Sequence, residues 1–208
     1  MKLDIGIDLD GVVVDSPQQV VNYVNDRLDL KLTINDFTTY SMEDALPDKY
    51  KWVIESAFRD STMWKNVKLI DGAYETLKQL YEESYNLYFV TSSLPSNLRK
   101  KINHLARNLD FLPKDYALRH TINTQYKQII NLDILVDDGL FNLIGDRSYH
   151  SICFNMPYNQ TNDAEIPNFY RAYNWHDVYC WIKTIEKKLS KSTKEQTKNN
   201  NGTILRCD

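Results

Sequence analysis

The sequence predicts an α/β fold with a mostly parallel sheet and a small helical insertion after the first strand. Three observations point there. The chain opens on an alternating apolar pattern, further short apolar runs recur between helical stretches, and a long aromatic-rich segment after the first strand shows no strand pattern of its own. A length of 208 residues suits one domain with room for an insertion.

Leu3, Ile5, Ile7 and Leu9 alternate with Asp4, Gly6, Asp8 and Asp10, the period of a strand. Val12, Val13 and Val14 carry the apolar run past Gly11. Ser16-Pro17-Gln18-Gln19 reads as a helix start, with serine as N-cap, proline at the first helical position and glutamine at the third. Val20, Val21, Val24 and Leu28 then share one helical face. From Leu30 to Lys68 the pattern is helical but broken, with Pro47 and the aromatics Phe37, Tyr40, Tyr50, Trp52, Phe58 and Trp64.

Asp71-Gly72 opens another helix, with Ala73, Leu77, Leu80 and Tyr81 on its apolar side. Leu87 to Val90 is a short buried strand. Residues 96–108 form a helix whose Arg99, Lys100, Lys101 and Arg107 read as a solvated basic face. Leu118 to Ile122 is a weaker strand, and Leu132 to Val136 and Ser151 to Phe154 are stronger ones. Trp175, Val178, Ile182, Ile185 and Leu189 recur at three and four, a closing amphipathic helix. After Leu189 the chain turns polar and is expected to be disordered.

Composition narrows the function. Hydrophobic residues are 42% and charged residues 25%, ordinary for a globular chain. A net charge of −3 argues against nucleic acid or an anionic membrane as the main partner. Cys153, Cys180 and Cys207 are odd in number and far apart, with no CxxC or Cys/His cluster, so reduced thiols are expected rather than zinc. No apolar run approaches the ~18 residues of a membrane span, and acidic residues interrupt any signal core at the start. The expected location is the cytoplasm.

Three polar clusters follow predicted strands: Asp8 and Asp10, Thr91-Ser92-Ser93, and Asp137-Asp138-Gly139. In an open parallel sheet such positions converge at the strands' carboxyl ends, where ligands bind. Carboxylates that close resist ionisation unless a cation intervenes. Oxygen donors with no nearby His or Cys suit Mg²⁺. A hydroxyl and the Lys127 ammonium beside them suit a phosphate dianion. The chemistry implied is phosphoryl transfer to a carboxylate followed by hydrolysis. Taken singly, Asp10-Gly11 and Asp138-Gly139 also read as plain turns, and Thr91-Ser92-Ser93 as a helix cap. There is no GxxxxGK of a P-loop.

Asp8-Leu9-Asp10-Gly11-Val12, Thr91, Lys127 and Asp137-Asp138 resemble the four motifs of the haloacid dehalogenase (HAD) superfamily. Within it the chain looks like the 5′(3′)-deoxyribonucleotidase family, through Asp8 to Asp15, Ile70-Asp71-Gly72-Ala73, Phe89-Val90-Thr91-Ser92, Phe154 to Asn159, Arg171 and Trp175. The resemblance implies a HAD-like Rossmannoid core of residues 1–16 and 68–189, a helical cap of residues 17–67 and a polar tail of residues 190–208. It implies a phosphatase for (deoxy)nucleoside monophosphates. Asp8 would be the nucleophile and Asp10 the acid and base. Thr91, Ser92 and Lys127 would hold the phosphate. Mg²⁺ would sit on Asp8, Asp138, the Asp10 carbonyl and, directly or at one remove, Asp137. Phe37 and Thr38 of the cap align with base-contacting positions. Three rival readings stand beside it: a HAD phosphatase for another small phosphate ester, a non-catalytic nucleotide-binding protein on the same fold, and an end-processing phosphatase on nucleic acid, against which the net charge of −3 and the lack of a basic stretch in the cap count. A homodimer is left open.

Overall fold

The computed structural model describes residues 2–60 and 62–200, apart from the side chains of Lys65, Asn66 and residues 192–200. Six strands form one sheet: β1 (Asp4–Ile7), β2 (Asn86–Thr91), β3 (Thr121–Asn123), β4 (Ile134–Asp137), β5 (His150–Phe154) and β6 (Phe169–Ala172). Their spatial order is β3-β2-β1-β4-β5-β6, and every pairing is parallel. Parallel strands need crossovers, and helices supply them. Both faces of the sheet are therefore covered, which is why the central strands read as near-continuous apolar runs. Leu3, Ile5, Ile7, Leu87, Phe89, Ile134 and Val136 are all fully buried.

The helices are α1 (Ser16–Leu28), α2 (Trp52–Arg59), α3 (Met63–Asn66), α4 (Ala73–Glu82), α5 (Pro95–Asn108), α6 (Tyr116–Arg119), α7 (Leu140–Leu143) and α8 (Trp175–Asn200). The helix start after the first strand lies one residue earlier than read: Asp15 is the cap, its carboxylate accepting from Gln18 N at 3.3 Å, and Ser16 is already helical. Leu118 to Ile122 is not one strand. Its first half closes α6 and its second half opens β3. β6 was not read from the sequence at all.

Residues 17–67 hold α1, three 3₁₀ turns, α2 and α3, and no strand among the described residues. The chain leaves and re-enters the sheet layer side by side: Asp15 N donates to Lys68 O and Ile70 N to Val13 O, each at 2.9 Å. That adjacency is what an inserted segment requires. At the far end α8 runs through Asn200, past Leu189, where the polar tail was expected to begin. Lys, Glu and Gln are good helix formers, so a polar run can extend a docked helix without an apolar face of its own. Residues 201–208, with Cys207, lie outside the described residues, and Cys153 and Cys180 are free thiols.

Candidate active site

The order of β1 between β2 and β4 makes a switch point: the chain leaves β1 toward one edge and returns to its other side at β4. Crevices at such points bind ligands in open α/β sheets. Asp8 follows β1 and stays in line with it, its N–H donating to Val136 O at 2.9 Å. The chain then folds back, as the N–H groups of Val12, Val13 and Val14 converge on Leu9 O. Gly11 makes this turn with φ +73°, and a Cβ there would lie 2.5 Å from Asp138 Oδ2. Glycine is thus required twice, for the left-handed backbone and for the room. Trp175 Nε1 pins the loop through Val12 O at 3.0 Å. The Asp10-Gly11 turn belongs to this loop and not to a hairpin of the sheet.

Three carboxylates and one ammonium form the floor. One oxygen each from Asp8, Asp137 and Asp138 lie within 4.8 Å of one another, and all three residues are buried. Lys127 Nζ sits 2.8 Å from Asp8 Oδ1 and 2.6 Å from Asp137 Oδ2. Asp137 is further held by Gly139 N at 2.8 Å and by Asn142 Nδ2. Asp8 Oδ1 also accepts from Leu9 N at 2.7 Å. Asp138 differs from both: Oδ2 accepts from the Tyr158 hydroxyl at 2.5 Å, and buried Oδ1 has no partner among the described residues.

Burial and the neighbouring acids set the protonation. Desolvation, against the pull of Lys127 and helped by Asp137 and Asp10, pushes the Asp8 carboxyl up to about 7. Burial and the charges of Asp8 and Asp137 hold Asp138 well above the usual carboxylate range. Burial alone would lower Lys127, but Asp8 and Asp137 outweigh it and keep the ammonium charged. An orphaned buried carboxylate oxygen beside two more acids is a donor set that fits a hard divalent cation.

On the opposite side stands a second ammonium. Lys101 Nζ forms an ion pair with Asp10 Oδ2 and donates to Thr91 Oγ1 at 2.9 Å. Lys101 is 4% exposed, so it does not belong to the solvated face read for Arg99, Lys100 and Arg107. The signal was available: Lys101 lies three residues from Leu98 and four from Leu105, on the apolar side of α5.

These groups open into a cavity of about 520 Å³. Asp8, Asp10, Ser92, Lys127 and Asp138 line it. Thr91 and Asp137 are fully buried and stand behind that wall, reaching the site through Lys101 and Lys127. Phe37 and Thr38 do not line it. Phe37 is 1% exposed, packed in the core at the end of a 3₁₀ turn, and Thr38 faces solvent. Residues 17–67 present two aromatics to the cavity, Phe58 and Tyr40, and the Tyr40 ring packs edge-on against Phe141 and Tyr158 at 4.9 and 5.9 Å.

Tyr158 owes its place to the loop after β5. Asn159 Nδ2 donates to Asp138 O and Phe154 O at 2.9 and 2.8 Å. Arg171, on β6, grips Asp163 through Nε and Nη2 and Asn159 through Nη1 and the same Nη2. Arg171 and Phe154 to Asn159 are thus scaffolding for a hydroxyl on Asp138.

The model of the family described as 5′ nucleotidase, deoxy (pyrimidine), cytosolic type C protein matches residues 2–189. The 5′(3′)-deoxyribonucleotidases of Bacillus subtilis (strain 168) and of Bacillus phage SPbeta are each 28% identical over 182 residues, 86% of this chain and 97% of theirs. Among solved structures, a haloacid dehalogenase-like hydrolase from Xanthomonas campestris superimposes with TM-score 0.57 at 11% identity, over 92% of this chain and 100% of its own. A HAD family hydrolase from Deinococcus radiodurans, with bound phosphate and sodium, gives 0.57 at 14% identity, over 89% and 96%. These structures share the fold. The chain belongs to this nucleotidase family of phosphoric monoester hydrolases.

Proposed function

Proceeding from that membership, we propose that the protein hydrolyses (deoxy)nucleoside monophosphates to nucleoside and phosphate through a phosphorylated Asp8. The observation that carries the reading is the cluster of Asp8, Lys127, Asp137 and Asp138 at the carboxyl ends of β1 and β4, with Asp10 beside it on one cavity wall.

Leu9 N and Lys127 both hold Asp8 Oδ1, which leaves Oδ2 to attack phosphorus. The P–O ester bond breaks, and its electron pair leaves on the nucleoside oxygen. Asp10 gives that oxygen a proton. Asp10, now a carboxylate, takes a proton from the water that attacks the aspartyl phosphate, and phosphate leaves. Lys127 and Ser92 flank the phosphate, with Thr91 supporting from behind. Asp8, Asp138 and the Asp10 carbonyl would hold Mg²⁺, which would set positive charge against the phosphate oxygens. Asp137, already engaged by Lys127, Gly139 and Asn142, orients the lysine and supports the site from behind.

Residues 17–67 serve as the cap. Tyr40 takes the stacking position expected of Phe37, and Phe58, Ser41, Met42 and Ile54 of the same segment also line the cavity. No described helix is long and apolar enough to cross a membrane; free Cys153 and Cys180 support a reducing, cytoplasmic setting.

The test is phosphate release from a panel of nucleoside monophosphates and sugar phosphates, with Mg²⁺ and with excess EDTA. The expected result is preference for nucleotides and no turnover in EDTA. Preference for sugar phosphates would replace the substrate class, and full turnover in metal-free EDTA would end the cation's part in the reading.

A further inference from the structure

α5 carries a buried polar stripe. Asn97, Lys101 and His104, spaced by four and three, are 5%, 4% and 4% exposed on one helix face. All three meet residues 17–67. Asn97 Nδ2 donates to Phe58 O at 2.5 Å, Lys101 Nζ lies over the Trp64 ring at 4.9 Å, and His104 faces the Trp64 backbone. Three adjacent polar contacts fasten this helix to the inserted segment, and Lys101 is the middle one.

Lys101 alone of the three also reaches the reacting groups. Its ammonium touches Asp10 Oδ2 and Thr91 Oγ1 while resting on Trp64. Those partners come from the loop after β1, the end of β2 and the segment 17–67, so the nitrogen is held from three sides. Burying an ammonium carries a desolvation penalty of several kcal/mol, and an apolar side chain of similar volume would avoid it. Asp10 shows what the charge accomplishes. Its Oδ2 is taken by Lys101, while its Oδ1 is buried and has no partner among the described residues. One oxygen is gripped by the ammonium and the other is left without a protein partner among the described residues.

We infer that Lys101 is a positioning residue: it fixes the Asp10 carboxylate through Oδ2 on the cavity wall, and Trp64 fixes Lys101. The inference rests on the phosphatase reading, in which Asp10 is the acid. A phosphate-binding role is the main competitor, because a cation near Thr91 could instead meet the substrate phosphate.

The two roles separate by leaving group. kcat/KM reports only steps up to departure of the leaving group, and protonation matters for benzyl phosphate but little for 4-nitrophenyl phosphate. Lys101→Met should lower the ratio of kcat/KM for benzyl phosphate to that for 4-nitrophenyl phosphate by roughly 10- to 100-fold, part of the ~10²–10⁴ that general acid catalysis supplies. In an Asp10→Asn background the same substitution should change the ratio by less than about twofold, because Lys101 then has no acid to position. Equal losses on both esters would make Lys101 a phosphate-binding charge and overturn the inference. So would a ratio that falls as far without Asp10 as with it. Circular dichroism melts establish folding. If Lys101→Met does not fold, Lys101→Gln, which keeps a donor for Thr91 and removes the charge, must show the same drop, and an unchanged ratio there overturns the inference equally. A wild type inactive on both esters ends the phosphatase reading and this inference together. An active wild type with a ratio insensitive to Lys101 ends only the latter.

Discussion

Phe37 and Tyr40 stand three residues apart, and the structure gives them opposite consequences on truncation. Phe37 is 1% exposed in the main apolar core, away from the cavity wall. Removing a buried phenyl costs ~3–5 kcal/mol in lost transfer energy and cavity formation. At roughly 2–4 °C per kcal/mol for a chain of this size, Phe37→Ala should lower Tm by about 6–20 °C. Its kcat/KM below that temperature should stay within about threefold of wild type, because no described contact joins Phe37 to the acids. Tyr40 is 53% exposed, lines the cavity and meets Phe141 and Tyr158 edge-on. Base stacking on an aromatic ring is worth ~1–3 kcal/mol by alanine substitution. Tyr40→Ala should therefore lower kcat/KM for a nucleoside monophosphate by about 5- to 100-fold, at ~1.4 kcal/mol per decade, and change 4-nitrophenyl phosphate little. Its Tm should fall by no more than about 3 °C, since a half-exposed side chain contributes little to stability. The assay is a paired melt and two-substrate kinetic series on both variants. A Phe37→Ala protein with wild-type Tm and a selective loss on nucleotides would return the stacking role to Phe37. Equal losses on both substrates in Tyr40→Ala would remove it from Tyr40.

Asp8→Asn should reduce turnover to background, and near-normal turnover would overturn the nucleophile assignment. Asp10→Asn should slow nucleotide hydrolysis by roughly 10²–10⁴ and lose less with 4-nitrophenyl phosphate. Intact-mass analysis of that quenched variant should show phosphorylated Asp8. Tyr158→Phe, which removes the hydroxyl on Asp138 Oδ2, should raise the Mg²⁺ concentration for half-maximal activity by about 10- to 100-fold, and an unchanged requirement would disconnect Tyr158 from the cation. The pH dependence of stability follows from Asp8, whose carboxyl is raised from 3.8 to about 7 in the fold. A raised carboxyl leaves stability intact below 3.8 and takes it away as pH climbs through about 7, where the buried group must ionise. The metal-free protein should therefore lose stability across that window. Mg²⁺, which binds the ionised form, should raise Tm more at pH 8 than at pH 5. Equal shifts at both would contradict it.

The strands that carry chemistry were legible because each is a short apolar run ending in polar residues, and a parallel sheet buries such runs on both faces. β6 was not, since Phe169-Tyr170-Arg171-Ala172 neither alternates nor runs apolar; the Arg171 guanidinium is buried only because Asp163 and Asn159 are there to meet it. Asp8, Asp10, Lys127 and Asp138 were legible through their spacing, and the fold brings them to one cavity. Phe37 and Tyr40 could not be told apart, because composition does not say which of two neighbouring aromatics faces a core. Lys101 was grouped with Arg99 and Lys100 by adjacency. At about 100° per residue, however, adjacent helical residues point to different faces, and Lys101 shares its side with Asn97 and His104.

The charges around the cavity argue for a cation independently of any resemblance. Four carboxylates, Asp8, Asp10, Asp137 and Asp138, meet two ammoniums, Lys101 and Lys127. Both ammoniums are committed, one to Asp10 and one to Asp8 and Asp137. With every acid ionised the site is negative and repels a phosphate dianion. It can shed that excess in two ways. Protons can settle on Asp8 and Asp138, as the raised affinities of those carboxyls describe. A protonated Asp8, however, is no nucleophile. The alternative is a divalent cation, which balances the two uncompensated charges and leaves Asp8 ionised. The proposed Mg²⁺ thus reconciles two demands that this set of side chains cannot meet alone: an anionic nucleophile and a place for an anionic substrate beside it.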